Sequence, residues 1–207
     1  MTADAQEASP TPETADCPTG NEKARQPRAA LVVAHPDDES LWFAGYVLRH
    51  PYNWIIIACS IPRIDPVRAW KFYDACRTLG AQGRVLPHVE SPPDRPLAGL
   101  HMLDLNGFDL IVTHGDKPEP GYGFQHPHHA QVHSFVVEKW AHKPCVFLGG
   151  AEQIRLDSAE LARKQEALRC YDHLLPYQGR LIAKHTALMH RYCEAGGYDL
   201  ATESYTP

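Results

Sequence analysis

Short, almost wholly apolar runs alternate along this chain with longer segments whose apolar residues recur every three to four positions. Apolar runs fall at 28–34, 54–60, 108–113 and 145–148, the last closed by Gly149 and Gly150. Runs of that length suit strands buried on both faces, as in a parallel sheet. Helical periodicity occupies 39–49, 66–79, 127–142 and 158–175. Its punctuation agrees: Pro66 in a first turn with Gly80 as a stop, Pro127 at a first position, Ser158 as a cap. A weaker strand is expected at 84–89, a Pro-rich loop at 91–98 and a short helix at 100–105. Further on, 180–193 reads as helical and 201–205 as a final strand. Strand and helix in alternation predict an α/β fold. It would be a three-layer, Rossmann-like, mainly parallel sheet flanked by helices, with the active site at the C-terminal ends of the strands. Residues 1–27 hold almost no large apolar side chain. They cannot bury enough surface to offset the entropy of ordering, so a disordered N-terminal tail is expected before a domain at 28–207.

Composition narrows the class. With 207 residues, 43% of them hydrophobic and 22% charged, the chain resembles an ordinary globular protein. A net charge of −5 gives no basic footprint, so no nucleic-acid partner is expected. No apolar run approaches the roughly 20 residues of a membrane span. Six Cys form no C-x-x-C pair, and no signal peptide is visible, which points to a reducing cytoplasm without disulfides. No Gly-x-Ser-x-Gly elbow or P-loop occurs. Thirteen His is high, and four of them (His126, His128, His129 and His133) lie within eight residues.

Two strand ends carry the chemistry. The first run stops at His35-Pro36 and is followed by Asp37, Asp38, Glu39 and Ser40. The run at 108–113 ends at His114, and the loop after it leads to His126 and His129, three apart and so on one helical face. An N-cap carboxylate would account for one Asp, but neither for His35 nor for the second cluster. If the two strands are neighbours, the clusters meet on one rim. His35, Asp38 and His129 then make the two-His, one-carboxylate set of a catalytic zinc site. Asp37 is left to take a proton from bound water, and His126 to donate one or to stabilise an oxyanion. Iron, cobalt or nickel would also suit these donors.

Ala34-His-Pro-Asp-Asp-Glu39 followed by His126-Pro-x-His129 resembles the PIG-L / LmbE family of zinc-dependent N-deacetylases. The similarity extends to Arg68-x6-Ala-x3-Leu-Gly80, to Asp109-Leu-Ile-Val-Thr-His114 and to the stretch from Gly196-Gly197 to Tyr205. The resemblance implies His35, Asp38 and His129 as metal ligands, Asp37 as general base and His126 as the electrophilic His. It further implies Arg68 as a substrate-binding residue and Tyr122 as a mobile oxyanion helper. His114 either supports the rim or contacts substrate. The implied substrates are small N-acyl amino sugars. The sequence departs from the family pattern at His128, where Asp is usual, at Phe124-Gln125 between Gly123 and His126, and at Lys71, where Glu is usual. These departures touch substrate choice more than metal binding. Amide cleavage of a thiol conjugate or of a non-sugar amide is the nearest rival, and a metal-containing binding module is a rival of another class. A homo-oligomer is left open.

Overall fold

The computed structural model describes residues 25–119, 125–172, 174–177, 180–183 and 199–207. The expectations placed on residues 1–24, Tyr122, the segment 184–193 and Gly196-Gly197 lie outside these. Six strands form one sheet: β1 (Arg28–Val33), β2 (Asn53–Ala58), β3 (Gln82–Val85), β4 (Leu110–Thr113), β5 (Cys145–Arg155) and β8 (Thr202–Thr206), in the order β3-β2-β1-β4-β5-β8. The first five in that order pair in parallel, and β8 joins antiparallel to β5. Two further strands, β6 (Leu174–Tyr177) and β7 (Arg180–Ala183), form a separate antiparallel pair. A strand therefore takes the start of the segment read as helical at 180–193, and β6 ends the helix expected to reach 175.

The continuous apolar runs are explained by what lies on each face. Along β1, Ala29, Leu31 and Val33 enter one core, while Ala30, Val32 and the following Ala34 enter the other. The first face is covered by α1 (Asp38–Trp42), α2 (Ala44–Arg49), α3 (Val67–Thr78) and α5 (Ser158–Arg169). The second is covered by α4 (Pro127–Trp140) and a 3-10 turn at Ala98–Met102. Burying a large apolar side chain such as Trp42 or Phe43 contributes roughly 1.5–3 kcal/mol. Chain order reverses at β1, whose neighbours are β2 and β4. That reversal opens the crevice where doubly wound sheets bind ligands.

Three local expectations are corrected. The helix read at 39–49 is two short helices joined at Phe43 (φ −127°), because Phe43 and Ala44 both turn into the core. The β5 strand does not stop at Gly149-Gly150. Gly149 takes φ +90°, and a bulge between Leu148 and Glu152 carries the strand on to Arg155 against β8. The cap of α5 is Asp157, not Ser158. Its carboxylate accepts the Ala159 and Glu160 N–H groups, and Glu160 accepts the Asp157 N–H in return.

Beneath α2, Glu203 is buried and accepts the Gly45 N–H (2.9 Å), the Tyr46 N–H (3.1 Å), the Lys164 ammonium (2.7 Å) and the Tyr205 hydroxyl. Phe43 cannot cap α2, so Glu203 does so from β8. Gly45 is required there, since a Cβ would sit 2.3 Å from Leu156 and 2.8 Å from the Glu203 carboxylate. Cys59, Cys76, Cys145 and Cys170 are free thiols. Among the described residues no helix is long and apolar enough to cross a membrane.

Candidate metal centre and active site

The turn after β1 is held by its own side chains. The His35 N–H donates to Asp38 Oδ2 (2.9 Å) and the Asp37 N–H to Glu39 Oε2 (2.9 Å). Glu39, fully buried, also accepts from Ser40 (2.6 Å) and from the Tyr171 hydroxyl (2.6 Å). Burial raises its carboxyl to about 7, against the pull of these donors. Asp37 carries the one positive φ (116°) among the described non-glycine residues. An L-residue held there stores backbone strain of order 1–3 kcal/mol, and the Glu39 brace maintains it. Asp37 occupies the N-cap position of α1, but its side chain makes no cap bond. It meets Arg68 instead, with Nη1 donating to Oδ2 at 2.5 Å.

The second cluster arrives from β4 and α4. His126 is the N-cap of α4 and Pro127 opens the helix, which places His129 one turn in. The ring atoms then converge. His35 Nδ1 and His129 Nε2 are 3.3 Å apart, His129 Nε2 and Asp38 Oδ2 3.3 Å, and His35 Nδ1 and Asp38 Oδ2 3.5 Å. Bonds of about 2.0–2.2 Å to a tetrahedral zinc imply ligand separations of about 3.3–3.6 Å. Two imidazoles and a carboxylate at this spacing therefore fit such an ion. All three are buried. Burial works against ionisation of Asp38, but the charge on His129 holds its carboxyl well below the ordinary range.

Each of these two imidazoles has a carboxylate at its other nitrogen. Glu119 Oε1 lies 2.5 Å from His129 Nδ1, and Glu90 Oε1 lies 3.2 Å from His35 Nε2. Such partners fix the tautomer and orientation of a ligand. Burial lowers His129, yet Asp38 and Glu119 outweigh it and raise the imidazole to about 10. Neither Glu90 nor Glu119 was expected from the sequence. They lie in loops, with no periodicity to single them out.

His126 stands beside the triad, its ring centroid 4.9 Å from those of His35 and His129. Its Nδ1 accepts the His128 backbone N–H (3.3 Å), so the proton of the neutral ring sits on Nε2. Burial first, then the neighbouring His35 and His129 charges, lower it to about 4. His126 is therefore a neutral donor at neutral pH. His114 lies beneath the ligands rather than at the cleft surface. It is fully buried, stacks on His129 with centroids 3.9 Å apart, and accepts the Ala34 N–H at Nε2 (3.1 Å). This placement supports the rim and leaves no open face for substrate. His128 is also fully buried and faces His35 and Glu90. Arg68 comes to the site as its position suggests, though onto Asp37.

No protein-family model and no curated protein matches the chain. Solved structures do match in fold. A deacetylase bound to teicoplanin, from the teicoplanin biosynthesis pathway, aligns over 86% of this chain and 96% of its own, with 13% identity and a TM-score of 0.57. The N,N'-diacetylchitobiose deacetylase of Pyrococcus horikoshii aligns over 88% of this chain and 84% of its own, with 13% identity and a TM-score of 0.57. GalB, the 4-carboxy-2-hydroxymuconate hydratase of Pseudomonas putida KT2440, aligns over 87% and 95%, with 14% identity and a TM-score of 0.56. Identities this low carry the fold and not the activity. The chain therefore has the mostly parallel α/β fold of PIG-L / LmbE-type deacetylases, the family that its two motifs resemble.

Proposed function

We propose that this protein is a metal-dependent hydrolase that removes an acyl group, acetyl in the simplest case, from the amine of an N-acyl amino sugar. The observation that carries this reading is the convergence of His35 Nδ1, Asp38 Oδ2 and His129 Nε2 at tetrahedral spacing, beside Asp37, whose backbone N–H Glu39 braces. Zinc suits these donors, and other divalent transition metals would also fit. When bound, the ion supplies a Lewis acid and a water that loses its proton near neutral pH.

The side chains divide the remaining work. Asp37 takes a proton from the attacking water as the water oxygen bonds to the amide carbon. When the C–N bond breaks, Asp37 returns that proton to the departing amine. His126 donates its Nε2–H to the carbonyl oxygen as negative charge grows there. Its low basicity keeps it a neutral donor across the working range. Arg68 holds Asp37 in the ligand-free state and so weakens it as a base. A polar group of the substrate that draws the guanidinium away restores that basicity at the moment of binding. An amino-sugar substrate is favoured because one fold neighbour is a diacetylchitobiose deacetylase and another is a deacetylase of the teicoplanin pathway bound to teicoplanin. Because a hydratase shares the fold, acyl release is the deciding readout.

The test uses metal-loaded protein and a panel of N-acetylglucosamine derivatives with non-sugar N-acetyl amides as controls. Chelator-sensitive acetate release is expected from the sugars and little from the controls. Release from the controls alone would move the substrate class. No release from any amide, by a protein that binds its metal, would overturn the hydrolase reading.

A further inference from the structure

We propose that the far nitrogen of His35, together with Glu90 and His128, forms a second and weaker site for a divalent transition metal, sharing the His35 ring with the first. His35 Nε2 lies 3.1 Å from His128 Nδ1 and 3.2 Å from Glu90 Oε1, and the last two atoms are 3.5 Å apart. This triangle is slightly tighter than the first triad and is made of a different set of atoms; bonds of about 2.0 Å reach all three at somewhat closed angles. The first triad is complete without Glu90 and His128 as ligands; orienting His35 accounts for Glu90 alone and leaves the buried His128 Nδ1 at the same point unexplained.

Hydrogen bonding accounts for the triangle poorly. The His35 Nε2–H can donate to Glu90 or to His128. If it donates to His128 Nδ1, that nitrogen faces the carboxylate with no proton between them. If both rings donate to the single oxygen Oε1, two N–H groups crowd together with their nitrogens 3.1 Å apart. A cation makes all three contacts favourable at once. Among the described residues His128 Nε2 has no hydrogen-bond partner, so the ring gains nothing from them on its other side. The charge balance also has room for a second ion. Asp37, Asp38, Glu90 and Glu119 surround the two triangles, with the Arg68 guanidinium between Asp37 and the buried Asp65. One doubly charged ion leaves this group negative, and a second brings it close to neutrality.

Glu90 provides the way in, since its side chain is 21% exposed while His128 is fully buried. Two imidazoles and one carboxylate select zinc, cobalt, nickel or copper over magnesium and calcium. An ion held at the Nδ1 side of the same ring repels a second one at its Nε2 side, so this site fills after the first and more weakly.

This inference rests on the metal set of the proposed function, and stoichiometry separates the two. Full-length protein, stripped with chelator, is dialysed against graded zinc and its metal content is measured. Two equivalents per chain are expected, the second at least tenfold weaker. Glu90→Gln and His128→Asn should each lose the second equivalent; Glu90→Gln should also weaken the first, as loss of an outer carboxylate does, while His128→Asn should leave the first unchanged. His129→Ala should retain a weak equivalent that the further change Glu90→Gln removes. One equivalent at zinc saturation, or a second equivalent that persists in both Glu90→Gln and His128→Asn, overturns the second site and leaves acetate release untouched. Failure to bind any zinc would instead overturn the first site along with it.

Discussion

The protein buries carboxylates in two quite different settings. Glu203 meets two backbone N–H groups, an ammonium and a hydroxyl, all of which it can accept from. The cluster at the ends of β1 and β4 is just as buried, but its partners do not close on one another. Among the described residues His114 Nδ1, Glu119 Oε2 and His128 Nε2 have no hydrogen-bond partner there, and the ring and carboxylate atoms around His35 converge on points between them. A satisfied buried charge holds a fold together. An unsatisfied, convergent set costs stability and persists where something else completes it. On that ground Glu203 fits a structural role, and the rim is where the proposed chemistry belongs.

The largest effect should come from the rim. Asp37→Ala is expected to lower turnover by a thousandfold or more while metal content stays at the wild-type level, since Asp37 does not belong to the triad. Acetate release and metal analysis on the same preparation check this, and near-normal turnover would remove Asp37 as the base. His129→Ala should abolish tight metal binding, and unchanged affinity for the first equivalent would refute that ligand.

Breaking the other setting should unfold the protein instead. Glu203→Ala removes the carboxylate that the buried Lys164 and the start of α2 share, a loss of about 3–5 kcal/mol. Denaturant melts of the metal-free protein should register that loss. A smaller loss, with activity destroyed, would reverse the two assignments.

A medium effect is expected at Glu119. Glu119→Gln should weaken metal binding by about 10–100-fold without removing it, as changes to outer carboxylates do. It should also change the pH dependence. In the metal-free protein, burial lowers His129 but Asp38 and Glu119 raise it to about 10. An entering ion must therefore expel that proton at any lower pH. Apparent affinity should rise about tenfold per pH unit from 6 to 9, and less steeply in Glu119→Gln, whose His129 loses part of what raises it. Calorimetry at several pH values reads both slopes. Equal slopes would detach Glu119 from His129.

The smallest effect concerns the brace. Tyr171→Phe removes one donor to Glu39, at a cost of about 1–3 kcal/mol. The Glu39 carboxyl is raised above its unfolded value, so the folded chain holds the extra proton between about 4.5 and 7, and stability falls as pH rises through that window. Tyr171→Phe should steepen the fall, because the lost hydroxyl favoured the ionised form. Melts at pH 5 and pH 8 give the comparison.

Much of this was legible in the chain. The apolar runs located β1, β2, β4 and the start of β5 because strands buried on both faces leave an unbroken local signal. The two motifs nominated His35, Asp37, Asp38, His126 and His129 because each strand end places its residues by short-range geometry. What stayed hidden is long-range. The break at Phe43 depends on a cap delivered by Glu203 from 158 residues away. The continuation of β5 depends on β8, and the burial of His114 on its stacking against His129. Glu90 and Glu119 sit in loops without period, and only the packing of β3, β4 and α4 brings them to the ligating rings. The sequence by itself determined which groups could hold an ion and move a proton, since that is a matter of residue type and local turn. The tertiary structure alone decided which nitrogen faces the first triad, which carboxylate faces the other nitrogen, and that Arg68 rests on Asp37. Those are distances between residues tens of positions apart, and no local pattern encodes them.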